Sequence, residues 1–271
     1  MTHPFLDVAR PLALEAASLL MKLRRAPLSQ ERKADRSLVT NADREADAMI
    51  RQGLLKAFPK HAILTEESGL AECAGAEYVW VVDPLDGTKA YVQGIAGFSV
   101  MVGVLREGRP YAGVVVDPWE GHIYEAVRDQ GAYHIFQGER TRVRVSPRND
   151  WSSMPVITST GFPAALQSAL LPALSGPWLP QINSVGIKVG LVVRQLADIY
   201  INHHLVHYWD TCAPQIILEE AGGIMTFLDG KPLSYALDGK HMHPQPTLAT
   251  NATRHDEALG LIRKAMQRGE R

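Results

Sequence analysis

The chain has 271 residues, with 28 lysines and arginines against 29 aspartates and glutamates, for a formal net charge of −1. This balance argues against a basic surface that binds a nucleic-acid polymer, and two cysteines are too few for a disulfide framework. The first 23 residues lack the pattern of a signal peptide, and no apolar run is long enough to span a bilayer. We therefore expect a soluble, cytoplasmic protein.

Two helices are predicted at the start of the chain. Apolar residues recur at helical spacing over residues 6–23, where Pro11 can either begin the regular helix or kink it. A second helix is expected after Thr40 and Asn41, either of which can cap it. Asp43, in its first turn, has two interpretations: plain capping, or a carboxylate directed at a catalytic centre.

The most informative stretch is Asp83-Pro84-Leu85-Asp86-Gly87-Thr88, which follows the apolar run Tyr78–Val82. The run predicts a buried strand, and aspartate is rarely buried unless it is paired or bound to a metal. Two carboxylates this close repel each other unless a hard divalent cation lies between them. The N–H groups of Gly87 and Thr88 can hold an anion such as phosphate. The alternative is that Asp-Pro and Asp-Gly are ordinary turn signals.

The neighbouring segments predict loops and a meandering sheet. The polar segment Lys33–Ser37 reads as a loop, and so does the stretch Leu70–Glu77. Glu66, directly after a predicted strand, belongs to a solvated loop or reaches the Asp83/Asp86 centre. From residue 98 to 145, turns recur roughly every ten residues, which is typical of an antiparallel sheet.

Strands and helices alternate in the second half of the chain, and Asp210 is placed near the N-terminus of a helix predicted over 210–221. The change of character predicts two closely packed sub-domains. One covers residues 1–150 and contains the antiparallel sheet. The other covers residues 151–271 and supplies Asp210. The segment His241-Met242-His243 lies in a proline-containing loop and is expected to be exposed.

Four motifs together resemble the inositol monophosphatase superfamily, and the resemblance covers nearly the whole chain. They are the residues 83–88, Trp209-Asp210 with Glu220–Gly223, Glu66–Ser68, and Val39–Asp43. The resemblance implies an α+β fold, a layered αβαβα sandwich, and the activity of a magnesium-dependent, lithium-sensitive phosphatase. It also implies a small phosphorylated substrate. The oligomeric state, monomer or homodimer, stays open.

Three details are similar to the 3′(2′),5′-bisphosphate nucleotidase branch of this superfamily: Lys89 after Gly-Thr, the run Cys212–Pro214, and the segment Ser184–Lys188. Members of that branch remove the 3′-phosphate of adenosine 3′,5′-bisphosphate, a by-product of sulfate assimilation. The alternative is another phosphatase of the superfamily, which acts on inositol phosphate, a sugar bisphosphate or histidinol phosphate. A non-catalytic binding protein that keeps the fold is a third possibility.

The resemblance also implies roles for individual residues. Two or three magnesium ions are expected on the carboxylates of Glu66, Asp83, Asp86 and Asp210 and on the Leu85 carbonyl oxygen. The residues expected to act in catalysis are Asp43, Thr88 and Glu66, with Asp43 orienting the attacking water and Thr88 supporting it. The scissile phosphate is expected on the N–H groups of Gly87 and Thr88, and the remaining substrate contacts on Lys89, Ser184 and Lys188.

One stretch departs from the nucleotidase pattern. Where that branch tends to place a basic residue for the nucleotide phosphate, this chain has His203, His204 and His207. Three interpretations stay open: a solvated or packed loop, a histidine that contacts the substrate, or a separate transition-metal site. The last is disfavoured because no acidic or thiolate partner pattern accompanies the histidines.

Overall fold

The structure is a computed structural model that describes residues 3–25, 29–32 and 38–269. The loop predicted for Lys33–Ser37 lies outside the described residues. In the described part, the helices are α1 Pro4–Leu23, α2 Asn41–Ala57, α3 Thr88–Gln93, α4 Ala164–Leu170, α5 Val185–Val193, α6 Tyr208–Glu220 and α7 His255–Gly269. A 3-10 turn covers Trp151–Ser153.

The strands form one large sheet, one small sheet and one two-stranded pair. They are β1 Gln30–Arg32, β2 Leu38–Thr40, β3 Ala62–Thr65, β4 Gly69–Ala71, β5 Tyr78–Asp86, β6 Ser99–Arg106, β7 Arg109–Asp117, β8 His122–Val127, β9 Gly131–Phe136, β10 Glu139–Val143, β11 Val156–Thr158, β12 Ile199–Ile201, β13 Ile224–Phe227 and β14 Thr247–Thr250. β1 and β2 pair with each other.

An eight-stranded sheet has the order β10-β9-β8-β7-β6-β5-β3-β4. Its strands from β5 to β10 pair with their sequence neighbours in antiparallel fashion, which confirms the predicted meander. β3 is the exception, because it runs parallel to β5. The second sheet has four strands in the order β11-β12-β14-β13.

The two sheets and their helices form five layers. Alternate residues of β5 enter two different cores: Trp80 and Val82 pack with α1 and α2, and Val79 and Val81 pack with α5 and α6. This follows from the two-residue period of a strand. The small sheet covers the other side of α5 and α6, and α4 and α7 pack on its outer face. The layered αβαβα sandwich predicted from the sequence is confirmed.

Several element boundaries differ from the sequence prediction. α1 continues through Pro11, and it begins with Pro4, whose missing N–H costs nothing in the first turn of a helix. Gly69–Ala71 forms a short strand inside a stretch predicted as a loop, because it pairs with β3. α6 begins at Tyr208, before Asp210, so this aspartate lies within the first turn.

The predicted division near residue 150 falls between the last strand of the large sheet and the first strand of the small one. Helices α5 and α6 follow this division, yet they share a core with the large sheet. We propose that residues 1–150 and 151–271 form two closely packed sub-domains. Among the residues that the structure describes, no helix has the length and apolar character needed to cross a membrane.

Candidate active site

Asp83 and Asp86 lie at the end of β5, where the pairing with β6 becomes irregular. Asp83 is opposite Met101 and Asp86 is opposite Ser99, so β5 has one residue more than β6 over this interval. Side chains three residues apart point to opposite faces of a regular strand, and the additional residue lets both carboxylates reach one side. The motif is therefore more than an ordinary turn, because it forms an irregular extension of a buried strand.

Gly87 makes the sharp connection from β5 to α3. Its φ angle is 93°, in the left-handed region that glycine adopts easily. A Cβ atom at this position would lie 2.5 Å from the carbonyl oxygen of Gly97. Both the backbone angle and the space therefore require glycine, and after this turn the Thr88 hydroxyl lies 3.2 Å from the carbonyl oxygen of Leu85.

Asp210 reaches the same place from the second half of the chain. It lies in the first turn of α6, where its Oδ2 accepts a hydrogen bond of 2.6 Å from the backbone N–H of His207. One carboxylate oxygen each from Asp83, Asp86 and Asp210 lies within 4.8 Å of the others. The structure thus brings together three of the predicted metal ligands from two distant segments.

The carboxylates of this cluster repel one another in a buried place. Burial raises the pKa of Asp83 well above its usual range, and the neighbouring charges of Glu66, Asp86 and Asp210 raise it further. The pKa of Asp210 is raised well above its usual range for the same reasons, burial first and then Asp86 and Glu66. The charge of Glu66 contributes to both pKa values, but Glu66 lies outside the group of three aspartates whose oxygens converge, so its role as a metal ligand stays a prediction.

These donors fit a hard divalent cation. Asp83 and Asp86 are buried, Asp210 is partly buried, and the three convergent atoms are all carboxylate oxygens. Magnesium and calcium prefer oxygen ligands of this kind, and a cation among them would reverse the repulsion that raises their pKa values. The predicted carbonyl ligand, the oxygen of Leu85, accepts a hydrogen bond of 3.2 Å from the Thr88 hydroxyl.

Asp43 is both a helix cap and a partner of the motif. Its Oδ2 accepts hydrogen bonds from the backbone N–H and the hydroxyl of Thr40, at 2.8 and 2.6 Å. Its Oδ1 lies 3.2 Å from the hydroxyl of Thr88. Burial raises the pKa of Asp43, although the hydrogen bonds from Thr40 and Thr88 oppose that change. The capping interpretation is therefore confirmed, and the contact with Thr88 is compatible with the catalytic role, which stays a prediction.

The hydrogen-bond donors to Asp86 come from the beginning of α5 and from β6. Its Oδ2 accepts a hydrogen bond of 2.6 Å from the hydroxyl of Ser184 and one of 3.2 Å from the N–H of Gly186. Ser99 lies 2.8 Å from Ser184 and 3.4 Å from Asp86. Ser184 is completely buried, and its hydroxyl also accepts the N–H of Ile187 as the cap of α5. Its main observed role is to orient Asp86, and its predicted contact with substrate stays a prediction.

Lys188 is completely buried, whereas Lys89 is exposed. The ammonium of Lys188 donates to the carbonyl oxygens of Ile182 and Asn183, at 2.8 and 2.6 Å, and lies 4.9 Å from the ring centre of Tyr200. Burial lowers its pKa to about 7, although Asp86 and Asp210 raise it. With a pKa of about 7, Lys188 is only partly protonated at neutral pH, whereas Lys89 is an exposed lysine at the start of α3.

Comparisons with known proteins place the chain in a family. The Inositol monophosphatase family profile matches residues 1–266. The chain belongs to the inositol monophosphatase family. The Nus factor SuhB of Escherichia coli is 30% identical over 274 residues, covering 97% of this chain and 100% of the relative.

Solved structures of this family share the fold over nearly the full length. The Anabaena inositol monophosphatase has 30% sequence identity and a TM-score of 0.75, with 97% of this chain and 95% of that chain covered. The Thermotoga maritima IMPase has 25% identity and a TM-score of 0.83, with 97% and 98% covered. The family predicted from the motifs is confirmed, and these relatives do not single out the bisphosphate nucleotidase branch.

In this family member, the three histidines before α6 do not act as one group. The ring of His207 stacks on Trp209, with ring centres 4.5 Å apart and planes 6° apart. Its Nδ1 lies 3.9 Å from Oδ2 of Asp210. Among the residues that the structure describes, the group of side chains suited to a metal consists of aspartates, so the disfavoured histidine metal site gains no support.

His203 and His204 contact each other, with His203 partly buried and His204 exposed. Their ring centres are 3.5 Å apart, and His203 also contacts Phe162 edge to face. Burial and then His204 lower the pKa of His203 to about 4, and burial followed by Lys89 and Lys188 lowers the pKa of His204. These shifts favour the neutral form of both imidazoles, in which each ring offers an aromatic face and a hydrogen-bond acceptor.

Two predictions about single residues need correction or extension. His243 was expected in an exposed loop, but it is completely buried, with Nε2 at 2.8 Å from the hydroxyl of Thr211. The sequence reasoning also missed Ser99 and Asp47. Asp47 had one usable signal, since it follows Asp43 by four residues on the same helix and two acidic residues then share one face.

Proposed function

We propose that the protein is a magnesium-dependent phosphomonoesterase that hydrolyses a small phosphorylated molecule. The observation that carries the proposal is the convergence of Asp83, Asp86 and Asp210 within 4.8 Å in a largely buried place. Like charges cost free energy when they are held together without a counter-ion. A protein that holds them together with dedicated hydrogen bonds is suited to bind a cation.

The residues divide into ligands and groups that act on water or phosphate. Magnesium would be held by Glu66, Asp83, Asp86, Asp210 and the Leu85 carbonyl, and we keep two or three ions as the expected number. When bound, it would activate water and neutralise charge on the phosphate and leaving oxygens. All of these are oxygen ligands, which magnesium prefers over nitrogen and sulfur.

Asp43 and Thr88 are the groups placed to handle water. The hydrogen bond acceptor Oδ1 of Asp43 and the hydroxyl of Thr88 lie 3.2 Å apart beside the ligand segment. A water beside this pair could donate to the lone pair of the Thr88 oxygen, which would orient it, and could transfer a proton to the Asp43 carboxylate. The N–H groups of Gly87 and Thr88, at the beginning of α3, are the proposed phosphate contacts, with Lys89 beside them.

The substrate is proposed from two competing classes. Lys89 and the segments Ser184–Lys188 and Cys212–Pro214 favour adenosine 3′,5′-bisphosphate, whose 3′-phosphate would be released to give AMP and phosphate. The buried positions of Ser184 and Lys188 weaken two of these contacts. The Anabaena and Thermotoga relatives, by their names, favour inositol monophosphate.

The name Nus factor given to the SuhB relatives adds a non-catalytic possibility. A binding role alone gives no reason to keep Glu66, Asp83, Asp86 and Asp210 around one point. We therefore rank hydrolysis first, and a lack of magnesium-dependent phosphate release would favour the non-catalytic role.

The test is phosphate release from adenosine 3′,5′-bisphosphate and from inositol 1-phosphate, with and without magnesium. The expected result is magnesium-dependent release from at least one of them, lost in Asp83→Asn and retained in Asp256→Asn, an exposed control in α7. Inhibition by lithium would agree with the resemblance. Unchanged turnover in Asp83→Asn would refute the metal assignment.

A further inference from the structure

Asp47 is a buried carboxylate without a role in the proposed chemistry. It lies in α2, four residues after Asp43, so the two side chains occupy the same face of the helix. Only 2% of Asp47 is exposed. The hydroxyl of Ser68 donates a hydrogen bond to its Oδ2. Asp47 therefore connects helix α2 to the turn that follows β3.

That turn carries Glu66, and its backbone is already attached at both ends. The N–H of Glu66 donates to the carbonyl oxygen of Val82 at 3.2 Å, and the N–H of Ser68 donates to the hydroxyl of Thr65 at 3.0 Å. These bonds hold the turn to β5 and β3. The bond from Ser68 to Asp47 adds an attachment to α2, the helix that carries Asp43.

Packing alone does not account for an aspartate at this place. Within the described part of the chain, Oδ1 of Asp47 is buried and has no hydrogen-bond partner. A buried polar atom without a partner destabilises the folded state, and a charged one does so more strongly. Alanine is common elsewhere on the buried face of α2, at Ala42 and Ala46, and would avoid this cost.

We propose that Asp47 is a positioning residue that holds Ser68 and thereby keeps the Glu66 carboxylate beside Asp83 and Asp210. The proposal rests on the proposed function, because Glu66 matters there as a metal ligand. Groups that orient a metal ligand from behind typically change metal affinity or activity 10–100-fold when they are removed. Asp47 and Ser68 form such a support, because Ser68 follows the proposed ligand Glu66 by two residues in the same turn.

Four variants separate positioning from general stability. Asp47→Ala removes the acceptor, Ser68→Ala removes the donor at an exposed position, and Asp47→Asn keeps an oxygen that Ser68 can reach. Glu45→Gln is the matched control, because Glu45 is an exposed carboxylate on the same helix. Magnesium binding to each substrate-free protein is measured by titration calorimetry.

The expected result is magnesium affinity about 10–100-fold weaker in Asp47→Ala and in Ser68→Ala. Asp47→Asn should stay closer to the wild type, and Glu45→Gln should equal it. The double variant Asp47→Ala/Ser68→Ala should be no weaker than the worse single variant, because both changes break one bond. Raising the magnesium concentration should restore phosphate release in the single variants.

Hydrogen exchange of the metal-free proteins tests the same attachment without any metal. The amides of residues 66–69 should exchange faster in Asp47→Ala and Ser68→Ala than in the wild type or Glu45→Gln. Unchanged exchange together with wild-type magnesium affinity in Ser68→Ala would overturn the proposal, even if Asp47→Ala does not fold. A wild type that binds no magnesium would instead refute the proposed function, while the exchange result would still decide whether Asp47 holds the turn.

Discussion

Replacing His243 with glutamine should weaken the dependence of the free energy of unfolding on pH. The imidazole is completely buried and contacts the rings of Tyr208, Phe227 and Tyr235. Its Nε2 lies 2.8 Å from the hydroxyl of Thr211. Burial lowers the pKa of His243 from 6.5 to about 4, because a charged ring would lose its hydration in this place.

The size of the effect follows from the two pKa values. Between pH 6.5 and 4 the unfolded chain binds a proton at His243 that the folded protein does not bind, so acid favours unfolding. The neutral ring makes its full contribution to the free energy of unfolding above pH 6.5, and this contribution is lost as the pH falls toward 4. One pKa unit corresponds to about 1.4 kcal/mol, which gives a loss of about 2 kcal/mol by pH 5 and about 3 kcal/mol by pH 4.

The assay is urea unfolding in the presence of a chelator at pH 7.5 and pH 5, followed by tryptophan fluorescence. The difference between the two free energies should be about 2 kcal/mol smaller in His243→Gln than in the wild type. Other groups titrate in this range, but they are common to both proteins and cancel. Thr211→Val is the control: it removes the hydrogen bond and keeps the imidazole, so it should lower stability and keep the dependence on pH. An identical pH dependence in His243→Gln and the wild type would refute the reasoning.

Three further predictions concern the site. Ser184→Ala should weaken magnesium binding about 10–100-fold, measured by titration calorimetry, because it removes the shortest hydrogen bond to Asp86; an exposed Ser152→Ala control should bind normally. Lys89→Met should raise KM and leave kcat nearly unchanged in steady-state assays, and a fall in kcat alone would contradict a binding role. Activity should decline as the pH falls through the raised pKa of Asp43, because the protonated carboxyl cannot accept a proton. Asp43→Asn should lower kcat by about 10²–10⁴ and remove this acid limb from the pH profile of the remaining rate.

The carboxylate centre could be predicted from the sequence because its ligands occur in short motifs with a clear context. Asp83 and Asp86 follow an apolar run that predicts a buried strand, and aspartates in such a place need a partner or a metal. The order of motifs then indicated Glu66 and Asp210 from the other segments. The strand meander followed from the spacing of turns, since each pairing is local and antiparallel.

The supports of the site could not be predicted in the same way, because each depends on a contact between distant residues. Ser184 lies 98 positions from Asp86, and the resemblance suggested substrate as its partner. His243 lies 32 positions from Thr211, and the prolines around it predicted an exposed loop. A polar residue in a loop has the same local pattern whether it faces water or a buried hydroxyl.

The position of the carboxylates is set by the protein frame rather than by attraction among them. Asp83 accepts the N–H of Leu85 at 3.0 Å, and Asp210 accepts the N–H of His207 at 2.6 Å. Asp86 accepts a hydroxyl and a further backbone N–H. Each carboxylate is thus oriented by a donor from a rigid segment, while the charges themselves oppose the arrangement. With these donors in place, a cation would bind with little rearrangement of the carboxylates, and the repulsion relieved on binding would add to the affinity.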